Sequence, residues 1–167
     1  LKHEKRGSVK GALLILLLTI LAFIYNSLGR GYLFNPYGGG TSFIFETISI
    51  LLPVLLWVTA NWCLTTLFDG EGSYKDIFVA TCYSLLPLPM LVIPATIASN
   101  FVTSSEVEIV NLLMSLAFVW MAFLVFFGMM VTHDYTLGKN ILTILGTIVG
   151  VAFIMFVAAL FSSLLAK

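Results

Sequence analysis

The chain has 167 residues, 60% hydrophobic and only 10% charged, with a formal net charge of zero and a mean hydropathy of +1.07. Soluble domains average about 45–50% apolar and about 25% charged residues, and a fold of this size has too little interior to hide the excess. A bilayer must therefore be part of the solvent, and the charge balance argues against nucleic acid as a partner on electrostatic grounds.

A spanning helix needs about 20 mostly apolar residues. Five stretches qualify: 9–28, 43–68, 77–101, 109–132 and 141–165. Unbroken apolar runs satisfy their backbone hydrogen bonds as helices, whereas barrel strands would alternate over about ten residues. The expected fold is all-α: a polytopic membrane bundle of five transmembrane helices, one domain over 1–167. An opening on Leu1 rather than Met leads us to expect a preceding segment. The first apolar run is too long for the core of a secretory signal.

The Lys/Arg distribution sets the orientation. With five spans, the N-terminus, the second loop and the fourth loop share a side, which holds Lys2, Lys5, Arg6, Lys10, Lys75 and Lys139; Arg30 and Lys167 lie opposite. This places a multi-pass protein in the cell membrane, or an endomembrane in a eukaryote, with its N-terminus cytoplasmic and its C-terminus outside. The basic N-terminal strip then reads as a topology signal with weak attraction to anionic headgroups. Its sharper alternative is a docking patch for a cytoplasmic partner. Tyr32, Phe34 and Tyr37 in the first loop suit the headgroup zone, and Gly38 to Gly40 give a flexible turn into the second span.

In the second span, Glu46, Ser49, Pro53, Trp57 and Asn61 share one helical face. An intramembrane amide or acid normally faces the bundle interior, so Asn61 is expected to hydrogen-bond another helix. Cys63 and Cys82 read as buried thiols acting as small hydrophobes.

Asp69, Gly70, Glu71 and Gly72 then make a tight acidic turn, and Ser73 with Asp76 has capping-box spacing. A calcium-loop reading fails, because Tyr74 and Ala80 occupy the positions that need Gly and Glu. Downstream, Pro87, Pro89 and Pro94 release the carbonyls of Tyr83, Leu85 and Met90 from the helix ladder, and Leu88 is biased away from helical geometry. A kink or break is expected around Leu86–Met90. The freed carbonyls need Ser84, Thr81, Asn61, water or a ligand, so Glu46, Asn61 and Ser84 mark a candidate polar cavity.

Ser105 is the expected cap of the fourth span, with Glu106 and Glu108 in its first turn. The fourth span's aromatics read as packing and lipid contacts. His133 and Asp134 look like a dyad without a nucleophile, in a polar surface loop outside the spans. Thr143, Gly146, Thr147 and Gly150 form a small-residue face of the last span, fit to pack within the bundle or against a second subunit.

Asn61-Trp62, the run from Leu67 to Phe78 through Asp69-Gly70-Glu71-Gly72-Ser73, and Ala80-Thr81-Cys82-Tyr83-Ser84-Leu85-Leu86-Pro87 resemble the Yip family of Ypt/Rab-interacting membrane proteins, most of all its bacterial branch. The resemblance covers nearly the whole chain. It implies five spans with a cytosolic N-terminus. For eukaryotic members it implies non-enzymatic proteins of early secretory membranes that are associated with Rab GTPases, vesicle traffic and membrane shape and often form complexes with relatives. A bacterium-like member has no Rab to bind.

No serine-hydrolase elbow, zinc-protease helix, phosphate loop or intramembrane aspartate pair occurs. The leading expectation is thus a non-enzymatic scaffold, assembly or membrane-organising factor, with no cofactor or metal. Its partners are the lipid bilayer and a protein partner or second copy met through membrane helices. The alternative is a transporter or transporter-accessory subunit using the broken third span.

Overall fold

A computed structural model describes residues 7–35 and 42–165. Lys2, His3, Lys5, Arg6, Tyr37, Gly38 to Gly40 and Lys167 lie outside the described residues. The fold consists of α1 (Val9–Gly29), α2 (Phe43–Phe68), α3 (Tyr74–Ser84), α4 (Pro87–Ala98), α5 (Val107–His133) and α6 (Leu137–Leu165), with no strand among the described residues. Five spans are long and apolar enough to cross a membrane, α3 and α4 together forming the third (Tyr74–Ala98). The chain is an all-helical, multi-pass membrane bundle.

Helix ends depart from the apolar runs because a helix continues through polar residues that a hydropathy reading discards. Thus α3 starts at Tyr74, α5 runs to His133, and α6 already includes Lys139 and Asn140. At the start of α3 the expected capping box is present: Ser73 Oγ accepts from the Asp76 amide at 3.3 Å, and the Ser73 amide donates to Asp76 Oδ2 at 3.3 Å. Ser105 is not the cap of α5. Glu106 holds that position, and its carboxylate accepts from the Thr103 amide and hydroxyl, both at 3.0 Å. Those bonds hold the turn ahead of the helix; the Glu106 side chain makes no cap bond to α5 itself. The same two bonds hold the Glu106 carboxyl below its ordinary range.

The interruption in the third span falls at Leu85–Leu86, ahead of the prolines, and is closed. Pro87 takes the first position of α4, where its missing donor costs nothing, and Leu88 is helical despite its two proline neighbours. The Tyr83 carbonyl accepts from the Leu86 amide at 3.2 Å and the Leu85 carbonyl from the Leu88 amide at 2.9 Å. One tightened turn therefore reclaims two of the three carbonyls that were expected to need side-chain or ligand partners, those of Tyr83 and Leu85.

This third span is the hub. Of its most apolar window 56% is buried, against 6% for α6. It packs against α1, α2 and α5, while α6 lies mainly on α2. The core joins Ala12, Leu16, Val58, Ile77, Cys82 and Met129. In α2 the buried stripe runs through Val54, Val58, Asn61 and Thr65, whereas Ser49 and Pro53 are exposed. The inward face is thus rotated from the polar sector read off the sequence, because β-branched and small side chains admit closer helix approach than proline does. Cys63 is exposed, not buried.

Hydroxyls at membrane depth are satisfied by their own helix: Thr19, Thr81 and Ser84 each donate to the carbonyl four residues back. At the end of the bundle away from α1's start, polar contacts join α1 to α4. Thr96 Oγ1 lies 2.9 Å from Asn26 Oδ1, and the Gly31 amide donates to Ser99 Oγ at 2.9 Å. A side chain at Gly31 would collide with the Ser99 carbonyl group, its Cβ falling 2.7 Å from the carbonyl carbon and 3.1 Å from Asn100 Cα. Because backbone cannot yield cheaply, Gly31→Ala is expected to lower stability by about 1–3 kcal/mol, read as a lower melting temperature in mild detergent; an unchanged melt would show that this clip carries no weight.

Candidate functional site

The Asp69–Ser73 turn exists because α2 ends on a left-handed residue. Asp69 has φ 48° and its amide returns to the Thr65 carbonyl, followed by the Gly70 amide at 3.0 Å. α5 ends the same way, on Asp134 at φ 55°, with the Tyr135 amide on the Met130 carbonyl at 3.0 Å. Short Asx side chains tolerate this geometry better than most. Both reversals lie at the same end of the bundle, and the two loops are packed onto each other.

His133 is the point of contact. Its exposure is 1%, so it is not a surface polar residue; the last turn of α5 places it between α2 and the acidic turn. Nε2 lies 2.8 Å from Asn61 Oδ1, and the Gly72 amide donates to Nδ1 at 3.3 Å. An amide N–H can only donate, so Nδ1 is the acceptor and Nε2 carries the proton. Asn61 Nδ2 donates onward to Thr147 Oγ1 at 3.0 Å, and Thr147 Oγ1 donates to the Thr143 carbonyl at 2.8 Å. Every step has one direction, and the relay ties the turn, α2, α5 and α6 together.

Packing reinforces it. The Tyr135 ring stacks on His133 at 4.9 Å and 17°, and Lys139 Nζ lies 5.0 Å from the Tyr135 ring centroid. Trp62 meets Tyr74 edge to face at 5.9 Å, joining the end of α2 to the start of α3. A Cβ on Gly72 would lie 2.9 Å from His133 Nδ1 and from Thr132 Cγ2, and one on Gly70 would lie 2.6 Å from His133 Nδ1. Only glycine lets this turn approach the imidazole so closely.

A scan of protein-family models matches the Yip1 domain over residues 1–160. The chain belongs to the Yip1 domain family. No curated protein and no solved structure matches it. In this Yip1-family chain the residues singled out by sequence fall into separate places. Asn61, Gly70, Gly72, Trp62 and Asp69 gather around the relay, with Ser73 capping the helix beside it. Tyr83 lies elsewhere, against Gly7, while Pro87 and Pro89 are buried in the first turn of α4.

The candidate cavity of Glu46, Asn61 and Ser84 is not assembled. Glu46 accepts from the Ser27 hydroxyl of α1, Asn61 is held in the relay, and Ser84 donates to the Ala80 carbonyl at 2.8 Å. Gly150 approaches α2, its Cβ position 3.6 Å from Ala60 Cβ, and Thr143 and Thr147 of the same face are buried. That part of the small-residue face packs within the bundle; Gly146, between them, is half-buried. Sequence reasoning missed His133 and Asn140, whose Nδ2 donates to the Phe126 carbonyl of α5 at 2.9 Å. The available signal was their position at the edge of a span, where a helix end can turn a polar side chain inward.

Burial, and after it the charge of Asp69, push the Tyr135 phenol above its ordinary value. The Thr143 hydroxyl opposes this, although no hydrogen bond of normal geometry reaches the phenol oxygen. A raised folded value means that the fold favours the neutral phenol, so its contribution is intact below the ordinary tyrosine value of about 10 and is lost as pH rises beyond it. The difference in stability between wild type and Tyr135→Phe should therefore be flat at neutral pH and change only on the alkaline limb; a difference that instead varies between pH 6 and 8 would refute this. A double-mutant cycle of Asn61→Leu and His133→Leu should give a coupling of about 0.6–1.7 kcal/mol, the range of hydrogen bonds between membrane helices; additive losses would mean the relay is not a unit.

Proposed function

We propose that this Yip1-family protein is a non-enzymatic membrane organiser, a scaffold or assembly factor that displays the Asp69–Ser73 turn in the cytoplasm. The observation that carries this reading is the closure of the relay. Both His133 nitrogens and both polar atoms of Asn61 are engaged in directed bonds between parts of the protein. A general base or ion ligand needs an available lone pair, and these residues have spent theirs on holding a loop. The same geometry suits a protein whose product is a fixed surface.

The lysine distribution supports the orientation. Lys10, Lys75 and Lys139 stand at the relay end, Arg30 at the other, as the positive-inside rule requires of a cytoplasmic relay. Lateral association is supported by the long exposed apolar faces of α5 and α6, including Phe123, Phe127, Phe153 and Phe156. These faces serve the bilayer, a protein partner or a second copy. Transport, the alternative drawn from the broken third span, loses its motive because that break is closed by its own backbone.

Co-purification in mild detergent tests the proposal. Wild-type chain should retain a defined set of membrane proteins. Gly72→Ala, which wedges the turn off His133 at a cost of about 1–3 kcal/mol, should lose them while remaining helical by circular dichroism. Solute flux in reconstituted liposomes, abolished by Asn61→Leu, would overturn it in favour of transport.

A further inference from the structure

One member of the relay changes its hydrogen-bonding chemistry near neutral pH. In the docked turn the Gly72 amide donates to His133 Nδ1 at 3.3 Å, and the proton on Nε2 is directed at Asn61 Oδ1, 2.8 Å away. A second proton on the ring acts on these two contacts differently. The bond to Asn61 survives, because Nε2 donates in both forms. The bond from Gly72 does not, because an imidazolium carries N–H on both nitrogens and has no lone pair left to accept. Two N–H groups would then face each other around a side chain that is 1% exposed. The ring has no room to turn away. Cβ atoms on Gly70 and Gly72 would lie 2.6 and 2.9 Å from Nδ1, and Tyr135 stacks on the imidazole face.

The surroundings favour the cation once that bond is gone. His133 is the last residue of α5, and a helix C-terminus favours positive charge. From α2 the group facing the ring is the uncharged Asn61 amide. From the turn it is glycine backbone, flanked in the chain by the carboxylates of Asp69 and Glu71. From the loop after α5 it is Tyr135, whose phenol feels the Asp69 charge and whose ring centroid lies 5.0 Å from Lys139 Nζ of α6. Asp134 follows His133 directly. α3 does not depend on the docked turn for its start, which is held by the Ser73–Asp76 box. Beside that start a cleft of about 560 Å³ opens between α3 and α5, with Asp76 and Thr132 in its lining, so the helix has room to shift.

We propose that His133 is a proton-operated latch: it takes a proton from the cytoplasmic water at Nδ1, drops the Gly72 amide and releases the Asp69–Ser73 turn, while its bond to Asn61 stays. Docking accepts only the neutral ring. It is therefore at full strength above the ordinary histidine value of about 6.5 and weakens about tenfold for each unit of pH below it. The latch concerns the docking of the turn alone and holds whether or not the turn recruits partners.

The test cuts the full chain briefly with a glutamate-specific protease in mild detergent, at pH 7.5 and at pH 5.5. Cleavage after Glu71 is scored against cleavage after Glu106, which cancels the pH dependence of the protease. Glu106 is a steady reference, because the Thr103 bonds hold its carboxyl below the ordinary range and so keep its loop unchanged over this interval. The ratio should rise about tenfold at pH 5.5 in the wild type. His133→Gln offers Gly72 a carbonyl and Asn61 an amide N–H without titrating, so its ratio should stay flat. To cover a packing loss in that variant, the native ring is also read by nitrogen NMR of histidine-labelled protein, with His3→Gln leaving one histidine signal. The ring should carry its proton on Nε2 alone at pH 7.5 and on both nitrogens at pH 5.5, and the Gly72 amide signal should move with it. A flat ratio in the wild type, an equal rise in His133→Gln, or a second proton on the ring with the Gly72 amide signal unmoved would each overturn the latch.

Discussion

The structure depends on the Gly72 amide reaching His133 and His133 reaching Asn61. Inside a bilayer the hydrophobic effect does not select helix partners, since lipid tails are as apolar as leucine. The exposed leucines and phenylalanines of α1, α5 and α6 are content against lipid or protein. What separates this arrangement from other packings of the same helices is where polar groups meet and where small residues allow close approach. The relay does both. Its bonds have a single direction and its two glycines fit only if the imidazole stands where it does.

The third span gains its central place from the same logic. It is the most buried span, yet it contains three prolines. Proline in a lipid-facing helix would leave a carbonyl without a donor. Here the Tyr83 and Leu85 carbonyls are repaired inside one turn, and Pro87 and Pro89 sit where helix starts tolerate them, while Pro94 lies within α4. The result is two short, stiff segments that other helices can surround. α3 has its own cap at one end and the tightened turn at the other, so it behaves as a distinct unit between the acidic turn and the middle of the bundle.

Much of this was legible in the sequence. Five spans follow from hydropathy alone, and the capping box follows from Ser73 and Asp76, because both are local properties. Asn61 could be assigned a partner on another helix, since an amide at that depth must have one. The identity of the partner could not be read. His133 lies at the end of an apolar run, and the sequence does not reveal whether such a residue turns outward to solvent or inward; the left-handed Asp134 decides it by reversing the chain just beyond. The inward face of α2 was misplaced for a related reason. Polar periodicity pointed to Ser49 and Pro53, but Ser49 satisfies its hydroxyl on its own helix through the Glu46 carbonyl and needs no neighbour. Ser105 is not the cap because α5 begins one residue later, with Glu106 at the cap position and its side chain turned back to Thr103.

The closed relay and the open cleft bear on one helix from different sides. The first turn of α3 carries Asp76, which completes the cap below the acidic turn and also forms part of the cleft rim. Anything that fills the cleft therefore touches the helix whose start fixes Gly72 against His133. The turn is tied to the relay by the Gly72 amide on His133 Nδ1 at 3.3 Å. The acidic turn and the middle of the bundle are thus joined through eleven residues, Tyr74 to Ser84, and that short connection is what distinguishes this bundle from five helices that merely share a membrane.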